Sequence, residues 1–151
     1  MSVVGGLPGA VLFACNYNRV RSPMAAGLMR LIHGDRVFVD SCGLMPGEVV
    51  DPFVLIVMNE VGADISHHQA KSFDDLADGS FDVIVSLTAE AQERSAELSR
   101  GRAVEVEHWA TEDPTLVDGS REARLDAYRA VRDALRGRIL SRFGAPSTIR
   151  A

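Results

Sequence analysis

Cysteine is scarce in this chain, with two in 151 residues. A pair of thiols does not make a disulfide framework, which excludes the small cross-linked secreted scaffolds and leaves each cysteine to be explained by itself. No apolar run approaches the ~18 residues of a membrane span. Repeats and low-complexity stretches are missing too, which argues against solenoids and long linkers. No Lys or Arg precedes Arg19, and Gly5, Gly6, Pro8 and Gly9 interrupt the apolar start. A secretory leader needs a basic start, so the lipoprotein-like box Leu12-Phe13-Ala14-Cys15 does not read as a cleavage site, and the expected location is cytoplasmic. Asp and Glu are absent from residues 1–34, which hold Arg19, Arg21 and Arg30 and so carry +3 of a net charge of -5. An acidic chain with one basic segment makes a poor partner for nucleic acid, yet that segment suits a small anion.

What is present fits one domain over residues 1–151. With 46% hydrophobic residues, the chain can bury a sizeable core. Apolar runs alternate with amphipathic segments. GAVLFA (9–14), VFVDSCG (37–43), FDVIVSL (81–87) and AVEVEHW (103–109) read as strands. Helices are expected over 22–34, with Ser22 as cap, Pro23 in the first turn and Gly34 as stop; over 51–62; from Thr88 to Arg100; and over 120–143. Such alternation predicts an open α/β sheet of parallel strands, in which ligands bind at the carboxyl ends.

Cys15 falls at one such end, in the loop leading to the first helix. Six residues later Arg21 folds back, so that loop amides, an arginine fork and a helix N-terminus surround one centre, an arrangement that suits a tetrahedral dianion. The same donors favour the thiolate, the form that attacks phosphorus. Ser22 is placed to donate to that sulfur when it departs. A Cys-x5-Arg spacing arises often by chance in an arginine-rich chain; the preceding strand and the following Ser-Pro narrow the coincidence.

The loop C-N-Y-N-R-V-R-S-P resembles the phosphate loop of low-molecular-weight protein tyrosine phosphatases, usually C-x-G-N-x-C-R-S-P. Further likeness lies in Asp40-Ser41-Cys42-Gly43, in ADISHHQAKSF, and in Glu112-Asp113-Pro114 followed by a helix containing Tyr128. The resemblance implies a three-layer α/β fold with a four-stranded parallel sheet flanked by helices, wound as in flavodoxin. It implies Cys15 as nucleophile, Arg21 as phosphate clamp, Ser22 as aid to the departing thiolate and Asp113 as general acid and then base. Asn16, Tyr17, Asn18, Arg19, Val20, Arg21 and Ser22 would form the phosphate-binding loop, supported by Ser41 and His68 through Asn18. No metal and no organic cofactor are implied. The expected partner is a phosphotyrosine protein or a small phosphomonoester, with no nucleic acid and no membrane. Two alternatives accompany this reading: an arsenate reductase on the same fold using an external thiol, and a non-catalytic anion-binding regulatory protein.

The departures are specific. Tyr17 stands where glycine is usual, which questions the loop backbone. Val20 replaces a second loop cysteine, Thr115-Leu116 follow Asp113-Pro114 where aromatics are common, and LMPGEVV lacks an aromatic wall. Cys42 reads as a small buried residue, adjacent His67 and His68 as polar rather than metal-binding, and the arginines of the last helix as a solvated face. His33 and His108 carry no signal.

Overall fold

A computed structural model describes residues 6–47, 49–76 and 79–146. Four strands, β1 (Ala10–Cys15), β2 (Phe38–Gly43), β3 (Val83–Ser86) and β4 (Glu105–His108), alternate with four helices, α1 (Arg21–His33), α2 (Pro52–Asn59), α3 (Ala89–Ser99) and α4 (Arg121–Phe143). Single turns of 3-10 helix lie at Asp74–Leu76 and Pro114–Leu116. The strands pair in parallel in the order β2-β1-β3-β4, as the α/β reading requires. From β1 the chain crosses first to one neighbour and later to the other. The carboxyl end of β1 is therefore a topological switch point, where helices diverge and leave a crevice. Cys15 is its last residue.

Strand alternation divides the core into two layers. Val11, Phe13 and Cys15 of β1, with Val39, Val83 and Val85, pack under α1, α2 and α4. Leu12 and Ala14, with Cys42 and Ile84, face Phe73, Phe81 and Ala91 of α3. Both faces are covered, which explains why β1 reads as an unbroken apolar run. No helix among the described residues is long and apolar enough to cross a membrane.

The helix limits differ from expectation in instructive ways. Ser22 is not the cap of α1: the helix begins at Arg21, the cap position is Val20, and no side chain caps it. The Ser22 hydroxyl is instead drawn to Cys15. Helix α2 stops at Asn59, three residues before the expected Gly62, because the left-handed Gly62 (φ 84°) turns the chain so that Ala63 N returns to Met58 O at 3.0 Å. The arginines of α4 are not simply a solvated face. Arg132 is buried and donates to Val57 O and Glu60 Oε1, both at 2.8 Å, and Arg129 also grips Glu60. Those bonds, Arg129 first, hold the Glu60 carboxyl down to about 2. His33, silent in the sequence, is buried against Gly144 O at 2.8 Å.

Asp51 joins three parts of the molecule. Its Oδ1 accepts from Phe53 N (2.9 Å) and caps α2; its Oδ2 accepts from Tyr128 of α4 (2.7 Å); its own N–H donates to Arg19 O in the loop after β1 (3.1 Å). Burial, followed by this bond to Asp51, pushes the Tyr128 phenol above its ordinary value. Asp51→Ala is expected to cost about 1–3 kcal/mol in urea unfolding, since a cap is lost and Tyr128 is left unpaired. Tyr128→Phe should cost about 1 kcal/mol, and the double variant clearly less than the sum. Strict additivity would show that the two residues act separately.

Candidate active site

The loop after β1, residues 15–20, is shaped by where its carbonyls go. Six in succession find donors outside it: Cys15 O takes Leu44 N, Asn16 O takes Met45 N, Tyr17 O takes Gly47 N, Arg19 O takes Asp51 N and Val20 O takes Met24 N, at 2.7 to 3.2 Å. Asn18 O accepts from His68 Nε2 at 3.0 Å. Across a trans peptide the N–H of the next residue points opposite to the C=O. The amides of Asn16 to Arg21 are thus turned away from those partners and towards the hollow of the loop, a nest of the kind that can hold an anion.

Asn18 makes the bend. It has the left-handed backbone (φ 54°) and is the one non-glycine residue with positive φ among the described residues. Its buried side chain donates from Nδ2 to Ser22 Oγ (2.8 Å) and Ser41 Oγ (2.9 Å), while Oδ1 accepts from Lys71 N (2.9 Å). Tyr17, in the place of a usual glycine, has an ordinary φ, so its side chain imposes no backbone strain. The sharp fit falls on Gly43 instead. A Cβ there would lie 2.7 Å from Asn18 N and 2.9 Å from Asn16 O, so the end of β2 must be glycine for the loop to rest on it. Asn16 is anchored separately: its Oδ1 accepts from Thr88 Oγ1 (2.7 Å), the residue that also caps α3.

Cys15 Sγ lies 2.9 Å from Ser22 Oγ. Arg21 donates to Thr111 O (3.1 Å) and faces Asp113 Oδ2 at 3.8 Å. Asp113 Oδ1 accepts from the amide and hydroxyl of Thr115, at 3.0 and 2.7 Å, leaving Oδ2 towards the arginine. Cys15, Tyr17, Arg19, Val20, Arg21, Asp113 and Thr115 line one cavity of ≈ 180 Å3. Tyr17 is 51% exposed, at the rim rather than within. The fold thus gathers Cys15, Arg21, Ser22 and Asp113 with the loop residues and places Ser41 and His68 behind them. Thr88, Lys71, Asp51 and Gly43 support the same loop, and no spacing rule in the sequence singles them out for it.

Cys42 is placed differently. It pairs in register with Ala14, on the face of the sheet opposite to Cys15 and Ser41. Burial, and after it the nearness of Cys15, pushes its thiol above the ordinary value. His67 and His68 belong to no cluster of metal-ligating residues among the described residues.

His68 carries a pH dependence. Burial pushes its imidazole below the ordinary 6.5, Lys71 and Arg30 push the same way, and the bond to Asn18 O and the charge of Asp40 oppose them. The unfolded chain therefore takes up the proton before the folded chain does, and stability is lost as pH falls from about 6.5. The urea midpoint is expected to drop below that pH. His68→Gln, which still offers an N–H donor, should flatten the acid limb; an unchanged slope would assign it to other groups.

Comparison with known proteins identifies the family and the fold. A family model described as low molecular weight phosphotyrosine protein phosphatase matches residues 10–141. The chain is 33% identical over 129 residues to arsenate reductase 1 of Staphylococcus epidermidis, covering 85% of this chain and 91% of that protein. Among solved structures, an arsenate reductase in its oxidized state is similar with a TM-score of 0.76 at 27% identity, over 89% of this chain and 96% of that one. A tyrosine phosphatase of Erwinia amylovora shares the fold with a TM-score of 0.73 at 20% identity, over 94% and 95%. The chain belongs to the low molecular weight phosphotyrosine protein phosphatase family.

Proposed function

We propose that this protein is a cysteine-dependent phosphomonoester hydrolase acting through a phosphocysteine intermediate, with aryl phosphates of the phosphotyrosine type as substrates. The observation that carries this reading is the convergence of Cys15, Arg21 and Asp113 on one cavity below a loop whose amides turn inward. The loop amides and the Arg21 fork hold the phosphate dianion, and the Cys15 thiolate attacks phosphorus. As the P–O bond breaks, Asp113 gives its proton to the departing oxygen. Water then attacks the phosphocysteine, Asp113 takes its proton, and the S–P bond breaks to return the thiolate. Ser22 stabilises that thiolate. Its oxygen accepts from the Asn18 amide, and its single hydroxyl proton faces both the sulfur 2.9 Å away and Cys42 O at 3.3 Å, so it turns to the sulfur when the thiolate departs. Tyr17, at the rim, serves as the aromatic wall that Thr115 and Leu116 do not provide.

A second reading comes from relatives named arsenate reductase at 30–33% identity. Arsenate is a tetrahedral oxyanion that the same loop accommodates. Its reduction takes two electrons, supplied when two thiols join as a disulfide. Cys15 and Cys42 lie on opposite faces of the sheet, so the second thiol would have to come from outside. The hydrolase needs no such co-reactant, and for that reason it is the first reading.

Turnover of p-nitrophenyl phosphate and phosphotyrosine, beside thiol-dependent reduction of arsenate, separates the two. Cys15→Ser should abolish ester hydrolysis and retain vanadate binding, since only the nucleophile is removed; retained hydrolysis would exclude Cys15 as nucleophile. Asp113→Asn is expected to slow phenyl phosphate by about 10²–10⁴-fold and the activated nitrophenyl ester much less. Equal losses on both esters would limit Asp113 to holding its loop.

A further inference from the structure

The Arg19 side chain has no part in the steps above, yet its position is closely determined. Its carbonyl accepts from Asp51 N at 3.1 Å. Its Nε donates to Val49 O at 2.8 Å. Its aliphatic stem rests on Gly47, where a Cβ would come within 2.5 Å of Cγ and 2.2 Å of Cδ. Gly47 does not have a left-handed backbone. Glycine leaves room there for the Arg19 stem, which fills the space a side chain would take. Backbone, stem and Nε are therefore held, while Nη1 and Nη2 make no hydrogen bond or ion pair with the described residues. These two groups belong to a side chain that lines the same cavity as Cys15, Arg21 and Tyr17.

The phosphate dianion is already matched by Arg21 and the loop amides. Arg19 adds a further positive charge, fixed to the segment after β2, and nearby loops expose apolar Met45, Val49 and Leu116. A guanidinium with an ordered stem and terminal nitrogens unpaired among the described residues fits a carboxylate in two-pronged fashion, and little further ordering entropy is lost on binding.

We propose that Arg19 is a second anion subsite beside the phosphate pocket, so that the preferred substrate is an aryl phosphate carrying a carboxylate close to the phosphorylated ring. The substrate class rests on the hydrolase reading above; the subsite itself is read by binding as well as by turnover. The test compares 3-carboxyphenyl phosphate with 3-carbamoylphenyl phosphate, which has the same shape without the charge. The amide is the better leaving group, so intrinsic reactivity opposes the expected order. Wild-type kcat/KM should favour the acid about five- to tenfold at low ionic strength, a preference that shrinks with added salt. In Arg19→Gln, and in Gly47→Ala, which displaces the arginine without touching it, the ratio should fall to about one. A parallel pair of phosphotyrosyl peptides with Asp or Asn beside the phosphorylated residue identifies the source of the carboxylate: preference in the peptide pair points to a protein, preference in the small esters alone to a metabolite. Equal kcat/KM within both wild-type pairs would overturn the proposal. So would a preference that survives in both variants. Calorimetry on Cys15→Ser reads the same discrimination as a ratio of Kd values. Wild type that hydrolyses no ester while Cys15→Ser still prefers the acid would sink the hydrolase reading and leave the subsite standing.

Discussion

The buried amide of Asn18 governs the site, because the loop depends on a backbone turn that a non-glycine residue takes up at some cost. A left-handed residue other than glycine is disfavoured by about 1–2 kcal/mol. At Asn18 this is offset by three side-chain bonds, to Ser22, Ser41 and Lys71, and a fourth from His68 to its carbonyl. The turn aims successive carbonyls outward and successive amides inward. In the proposed reaction the backbone's share of anion binding follows from that orientation, beside the charge of Arg21. It also explains the glycine at the end of β2, since the loop packs directly upon Gly43.

The opposite wall is delivered by the far end of the sheet. Trp109 N bonds to Ser86 O (2.8 Å) and Thr111 N to Leu87 O (3.2 Å), so the chain leaving β4 passes across the carboxyl ends of the strands. Arg21 reaches over to Thr111 O and thereby links the helix after β1 to the segment that carries Asp113. In the proposed reaction this spacing has a purpose. The acid stands over the leaving group while the nucleophile lies at the cavity floor, and one arginine touches both regions.

The two cysteines are separated by the same alternation that builds the core. Cys15 follows Ala14 by one residue and so faces the other layer, while Cys42 stays with Ala14 and Leu12. A dry setting, and after it the nearness of Cys15, keep Cys42 a thiol. In the proposed reaction Cys15 acts by nucleophilic attack, and redox use of the site calls for a thiol from elsewhere.

Much of this was legible along the chain. Apolar runs marked the strands, Asp51, Thr88 and Ser120 opened helices that the structure caps with those same side chains, and the Cys15-to-Ser22 stretch marked the loop that gathers the candidate site. Local chemistry determines these features, since a cap, a turn or a buried strand is a property of neighbouring residues. Ser22 is the telling exception: locally it is a helix cap, but in the fold its hydroxyl serves Cys15 and Asn18, because burial leaves a polar group to whichever partners surround it. Arg132 likewise looks like part of a solvated stripe until α2 packs over it. The face on which Cys42 lies, the fit of Gly43 under the loop, the stem of Arg19 on Gly47 and the reach of Arg21 to Thr111 were decided by tertiary structure alone. Each is a contact between residues far apart in sequence, and only the register of the sheet and the packing of the loops upon it bring such partners together.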